Sequence, residues 1–253
     1  TDDVIEKHCK KNNYLFFRGE KEDVLSRLYN AAKKFNADRI VRVTADCPFL
    51  DPRVCSEVIL LYDNQNSDYA SNVGLETWPD GLDCEVIKFK VLKEAHFKAF
   101  LPSDREHVTP WIKANNYKFN IANLICPYKN FSKFRWTLDR YEDYKLMEKI
   151  VKMFSSEKVI NYIELSNYLL KNPRILKINS AILRNESLKK SNLDNNNSKL
   201  FSNKKFINSN KLLLKAKKFI PLASQTFTKS YINWPVKQTP LFLTHGLGGR
   251  VWD

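Results

Sequence analysis

Ile40 to Pro52 reads IVRVTADCPFLDP, and this stretch decides how the rest of the chain is read. Ile40-Val41-Arg42-Val43-Thr44 is β-branched and mostly apolar, the composition of a short buried strand. Pro48 has no N–H to give to a sheet ladder, so the strand ends before it, with Asp46 at its carboxyl end. α/β proteins bind their ligands at that end of their strands. Asp51-Pro52 then has the form of a helix start, with aspartate as the N-cap and proline in the first turn. Two readings of Asp46 stand side by side, a turn cap and a metal ligand.

Upstream, Asp3–Lys11 reads as a short helix with Val4 and Ile5 facing inward, and Tyr14–Arg18 as a compact strand broken by Gly19. Glu22–Phe35 is amphipathic: Val24, Leu25, Leu28, Tyr29, Ala32 and Phe35 recur at three and four positions. Together with the Ile40 strand these predict a strand–helix–strand crossover of a parallel sheet. Downstream, Arg53–Asn64 predicts a helix carrying Val54, Val58, Ile59 and Leu61 inward. Asp68–Asn72 and Cys84–Phe89 read as strands around the loop GLETWPDGLD, in which Gly81 is free to take a positive φ. Val91–Phe100 is expected to be helical, and the element opening at Pro102 to be kinked or restarted at Pro110. Phe119–Leu124 and Phe134–Leu138 read as strands, Tyr141–Phe154 and Ile160–Lys171 as helices. The expected fold is α/β, a mainly parallel sheet with flanking helices, ending near Ile178.

Composition narrows the function classes. Of the 253 residues, 43% are hydrophobic, enough to bury a substantial core. There is no apolar run long enough to span a membrane, and the polar start Thr1-Asp2-Asp3 is no signal peptide. The chain lacks an initiator methionine and reads as an internal piece of something longer. Cys9, Cys47, Cys55, Cys84 and Cys126 are scattered and form no C-x-x-C, which fits reduced cytoplasmic thiols better than a disulfide framework or a zinc site. The net charge is +14, but residues 181–253 hold 13 of the 42 basic residues and 3 of the 28 acidic ones. The excess therefore lies in a Lys- and Asn-rich tail rather than on a folded face, and no specific nucleic acid is expected as a partner. Leu188–Asn210 has no periodic apolar face and is expected to be disordered.

Four segments occur in a fixed order: RVTADCPFLDP, SNVGLETWPDGLDCEV, REHVTPWI and RWTLDRYEDYKLMEKI. Together they resemble the cytidylyltransferase family of spore-coat polysaccharide synthesis, which is similar to the CMP-sialate and CMP-ketodeoxyoctonate synthetases. The resemblance covers residues 1–178. It implies a single-sheet, nucleotide-diphospho-sugar transferase-like fold, and CMP transfer from CTP to a sugar with release of pyrophosphate. An acidic nonulosonic sugar and a homodimer are implied in the same way. The resemblance also makes Asp46 and Asp139 the holders of Mg²⁺, an ion that prefers a few carboxylates and several waters. It sets Asp80, Asp83 and Glu85 against the sugar. Arg105, with His107 beside it, has the planar fork to bind a substrate carboxylate or phosphate. Equally open readings make Arg105-Glu106 a helix-surface pair and His107 a packing residue. His8, His96 and Cys47 read as structural.

Two departures from the family stand out. Its opening basic, glycine-containing loop, which grips the triphosphate, has no counterpart among the six glycines here. Ala45 also stands where the family has glycine before the metal aspartate. Residues 1–253 by themselves are therefore expected not to turn over CTP. Lys211–Asp253, ending PLFLTHGLGGRVWD, is similar to the first arm of the glutamate-1-semialdehyde aminomutase group of class III aminotransferases, whose pyridoxal-phosphate machinery would lie downstream. The expected division is a cytidylyltransferase domain at 1–178, a polar linker at 179–210 and an aminotransferase-like start at 211–253. Alternatives are a tail docked on the first domain, an aminotransferase as the principal activity, and a non-catalytic interaction remnant.

Overall fold

The computed structural model of the chain describes residues 2–154, 159–186, 191, 245–247 and 250–252. They belong to two compact units, Thr1–Ala99 with Asp104–Glu186, and Phe100–Ser103 with Ser187–Asp253. In chain order the elements are α1 (Asp3–Lys11), α2 (Val24–Lys34), β1 (Arg39–Arg42), α3 (Pro52–Asn64), β2 (Tyr69–Ser71), β3 (Glu85–Lys88) and α4 (Phe89–Lys98). There follow α5 (Pro102–His107), α6 (Pro110–Ala114), β4 (Ile121–Asn123), α7 (Tyr141–Met153), α8 (Tyr162–Lys171) and α9 (Pro173–Leu176). The second unit contributes an antiparallel strand pair, β5 (His245–Leu247) with β6 (Arg250–Trp252). Apart from Ser191, the segment expected to be disordered lies outside the described residues, as does most of the aminotransferase-like arm.

The fold is α/β, but the sheet is mixed rather than mainly parallel. Its order is β1-β3-β2-β4, with β3 antiparallel to both β1 and β2, and β2 parallel to β4. β1, β2 and β4 thus share one direction and β3 alone is reversed. The cause is the connection between β2 and β3. It contains no helix to carry the chain back to the starting edge, so β3 returns the opposite way. As a result the carboxyl ends of β1, β2 and β4 meet the amino end of β3 at one edge.

Several helices form where their caps and periodicity put them. Asp23 caps α2 by accepting the Ser26 N–H at 2.8 Å, and Leu25, Tyr29 and Ala32 are its buried face. Asp51 caps α3 by accepting the Arg53 N–H at 2.9 Å, with Pro52 in the first turn. The helix beginning at Pro102 does stop and restart at Pro110. Under the loop after β2, Trp78, Phe134 and Trp136 pack with Leu146, Ile150 and Leu165 of α7 and α8. Burying each such side chain contributes about 1.5–3 kcal/mol. Gly81 takes φ +111°, and a Cβ there would stand 2.5 Å from the Trp136 carbonyl carbon. Only glycine fits that turn.

Three expectations fail. Tyr14–Arg18 forms no strand, so the predicted crossover before β1 is absent among the described residues. Arg18 instead pairs with Asp3 and Glu6 of α1, at 2.7 and 2.8 Å, folding this segment back on that helix. Val4 and Ile5 do not face inward: they are 76% and 63% exposed, and α1 buries nothing. Phe134–Leu138 is not a strand either. Its backbone joins the Asp80 turn, Asp80 N–H donating to the Phe134 carbonyl at 2.9 Å and Trp136 N–H to the Asp80 carbonyl at 2.6 Å.

Candidate active site

The shared strand edge gathers the charged groups. Asp46 follows β1, Asp83 lies two residues before β3, Glu85 opens β3, and Asp139 precedes α7. The two segments that carry Asp46 and Asp139 touch directly, because the Leu138 N–H donates to the Asp46 carbonyl at 2.8 Å. The Asp46 carboxylate accepts the Cys47 thiol at 3.6 Å, and the Cys47 Sγ also meets the Thr44 hydroxyl at 3.2 Å. Burial pushes the Cys47 thiol up to about 12, with Asp46 and Asp83 adding to the rise, so this cysteine is no nucleophile at neutral pH.

Arg135 is the hub of the acidic side. Its guanidinium reaches Asp80 at 3.0 Å, Asp139 at 2.5 Å and Asp143 at 3.1 Å. The pairing with Asp139 is local, spanning four positions of chain from Arg135 to Asp139. Asp143 is fully buried and also accepts the N–H groups of Asp139 and Arg140, fixing the start of α7. Burial would raise its pKa, but Arg135 and Asn179 hold it below the ordinary value. Asp80 is pushed up by burial against the pull of Arg184 and Arg135. Asp83 is raised to about 6, again by burial, opposed by Arg184 at 3.3 Å.

Glu85 has a different setting. It is 3% exposed, and its carboxylate accepts from the Tyr69 hydroxyl at 2.5 Å, the Thr109 hydroxyl at 2.9 Å and the Lys113 ammonium at 3.0 Å, with Arg42 on its other oxygen. Burial alone would raise its pKa; the Lys113 and Arg42 charges reverse that and bring it to about 2. His107 lies close enough to Arg42 to feel its charge, and burial followed by that charge lowers its pKa. Arg105 is held apart from these groups. It grips Asp23 in bidentate fashion at 2.9 and 2.6 Å and donates to the His96 carbonyl at 2.6 Å, tying α5 to the start of α2.

The chain matches known proteins over the span that carries all of these residues but Arg184. Residues 1–182 match the cytidylyltransferase family. The chain belongs to that family. It is 34% identical over 182 residues to an uncharacterized protein of Methanocaldococcus jannaschii, covering 72% of this chain and 73% of that one. The spore coat polysaccharide biosynthesis protein SpsF of Bacillus subtilis is 29% identical over 175 residues, 68% of this chain and 72% of SpsF. A solved cytidylyltransferase from Leptospira borgpetersenii superposes with a TM-score of 0.65 at 32% identity, covering 70% of this chain and 74% of that one. The family match ends at residue 182 and lends no support to an aminotransferase-like arm.

Among cytidylyltransferases the ion implied is Mg²⁺. No group of three or more His, Cys, Asp or Glu among the described residues is arranged to hold a metal. Mg²⁺ does not need one, since it commonly binds through one or two carboxylates and keeps several waters. Asp46 and Asp139 fit that requirement, each keeping one carboxylate oxygen without a protein donor among the described residues. Arg42, Lys113, Arg135 and Arg184 escaped the sequence reading. Arg42, Lys113 and Arg135 lie in or beside the diagnostic segments, but nothing in their spacing shows which carboxylate each meets.

Proposed function

We propose that this cytidylyltransferase transfers CMP from CTP to a hydroxyl of a sugar, releasing pyrophosphate, in surface polysaccharide synthesis. The observation that carries the reading is the Leu138–Asp46 backbone hydrogen bond, which sets the Asp46 and Asp139 segments side by side at the strand edge. In this reading Asp46 and Asp139 hold Mg²⁺, which when bound neutralises phosphate charge at the α-phosphate. Arg135 orients Asp139 and, through Asp143, the first turn of α7. Asp80 and Asp83 line the acceptor side, and Asp83, raised to about 6, is matched to take the proton of an attacking hydroxyl near neutral pH. Arg42 and Lys113, steadied by Glu85, supply positive charge on the same edge. Arg105, committed to Asp23, is not needed for this chemistry.

The test is a nucleotide panel with the full-length protein, Mg²⁺ and a set of free sugars, read by mass spectrometry for nucleotide–sugar adducts and by pyrophosphate release. The expected result is a CMP adduct formed from CTP in preference to the other triphosphates. Adducts from another nucleotide, or pyrophosphate release without any adduct, would overturn the proposal.

A further inference from the structure

Residues 179–186 run along the acidic side of the site and are tied to it at four points. Asn179 is buried and donates to Asp143 at 2.8 Å and to the Arg135 carbonyl at 3.0 Å. Arg184 donates to the Trp78 carbonyl at 2.9 Å and to Asp83 at 3.3 Å, and its Nε lies 3.9 Å from Asp80. Asn185, in the left-handed region at φ 57°, reaches Glu76 at 3.4 Å, and Glu186 meets Arg140 at 2.6 Å. Arg184 lies two residues past the segment that matches the family, yet its side chain is only 12% exposed. Among the described residues it is the one cation within ion-pair distance of Asp83.

We infer that Arg184 is a positioning residue: this strap, which runs past the end of the family-matched segment, fixes the Trp78–Asp83 turn so that Asp80 and Asp83 face the acceptor. The physics lies in the shape of the guanidinium. One face of the fork takes a backbone carbonyl and the other a carboxylate, so a single side chain fixes both the path of the turn and the direction of its acid. A turn that carries Gly81 at positive φ and a Trp78 pinned below it has few other places to go. The outer end of the strap is different, since Glu186 and Arg140 are each 51% exposed and their pair adds little. The inference rests on the acceptor-side role of Asp80 and Asp83 proposed above.

Two readouts on the full-length protein separate its failure from the failure of that role. The first is amide hydrogen exchange over residues 76–85, which needs no substrate. Arg184→Ala is expected to speed exchange there, with Arg184→Lys intermediate and Glu186→Ala unchanged. The second is kinetic. Arg184→Ala is expected to lower kcat/KM for the acceptor by about 10- to 100-fold while the KM for CTP stays within about twofold, the scale of a misplaced catalytic group. Millimolar guanidinium is expected to restore part of that loss. Unchanged exchange over 76–85 overturns the inference whatever the activity. Faster exchange with wild-type acceptor kinetics, or a loss that guanidinium and lysine both fail to mend, overturns it as well. A wild-type enzyme with no transferase activity sinks the proposed function, while the exchange result still decides whether Arg184 sets the turn.

Discussion

The two sides of the site use ion pairs in opposite proportion. On one side Asp80, Asp83, Asp139 and Asp143 share the guanidinium groups of Arg135 and Arg184, leaving carboxylate in surplus. On the other side Arg42 and Lys113 share Glu85, leaving positive charge in surplus. Both belong to one strand edge, and the reversed β3 is what joins them, since Asp83 and Glu85 stand two residues apart at its start. The acidic surplus suits a divalent cation, and the basic surplus suits an anionic group of a substrate. Each side keeps the charge its ligand lacks.

The largest expected effect comes from removing the hub. Arg135→Ala strips the charged partner from Asp143, which is fully buried, and the nearer of two from Asp80, whose side chain is 11% exposed. Leaving buried charges uncompensated costs about 3–5 kcal/mol. The measurement is a urea unfolding curve, and a loss below about 1 kcal/mol would break the account of the acidic side.

Removing the single acid of the basic side is expected to cost less. Arg42 and Lys113 are 23% and 38% exposed, so they can rehydrate when Glu85→Ala takes their partner away. A loss of about 2–3 kcal/mol is expected, at or below the lower end of the range of about 3–5 kcal/mol for broken buried pairs. The pH dependence sharpens the contrast. The Glu85 pKa is depressed from 4.5 to about 2, so its stabilisation is present above 4.5 and lost as pH falls toward 2. Asp83 is raised from 3.8 to about 6, so its contribution is present below 3.8 and lost as pH rises through 6. Denaturation curves between pH 2 and 7 on Glu85→Gln and Asp83→Asn are expected to flatten at opposite ends of that window. Flattening at the same end would dissolve the distinction between the two sides.

Smaller effects lie at the turn that links the sides and at the Arg105–Asp23 pair outside them. Gly81→Ala forces a Cβ against the Trp136 backbone from a left-handed φ, at an expected cost of about 1–3 kcal/mol. Arg105→Ala is expected to lower stability by about 1–2 kcal/mol through the lost Asp23 pair, while acceptor KM stays within twofold of wild type. A raised acceptor KM in Arg105→Ala would return this arginine to the substrate.

Local features of the fold were legible in the sequence wherever the signal was local. Asp51-Pro52 announced α3, Pro110 announced the restart of α6, and the spacing of Leu25, Tyr29 and Ala32 announced the buried face of α2. The direction of β3 was not legible, because alternation along a strand carries no record of which neighbour it joins or which way it runs. Periodicity misled at α1 for the same reason: Val4 and Ile5 mark a face, but a face does not say what covers it. In the site, the acids stood out at strand ends and in the turn, whereas their partners did not. Arg135 meets Asp80 across 55 residues of chain and Arg184 meets Asp83 across 101, distances that only the folded backbone closes.

The central claim is that Asp46 and Asp139 hold one ion between them. Titration calorimetry of Mg²⁺ into the full-length protein with CTP tests it most directly, on wild type, Asp46→Asn and Asp139→Asn. The account predicts loss of Mg²⁺ binding in both variants, with thermal midpoints close to wild type. Wild-type Mg²⁺ affinity in either variant, or a lowered midpoint with binding per folded molecule unchanged, would contradict it.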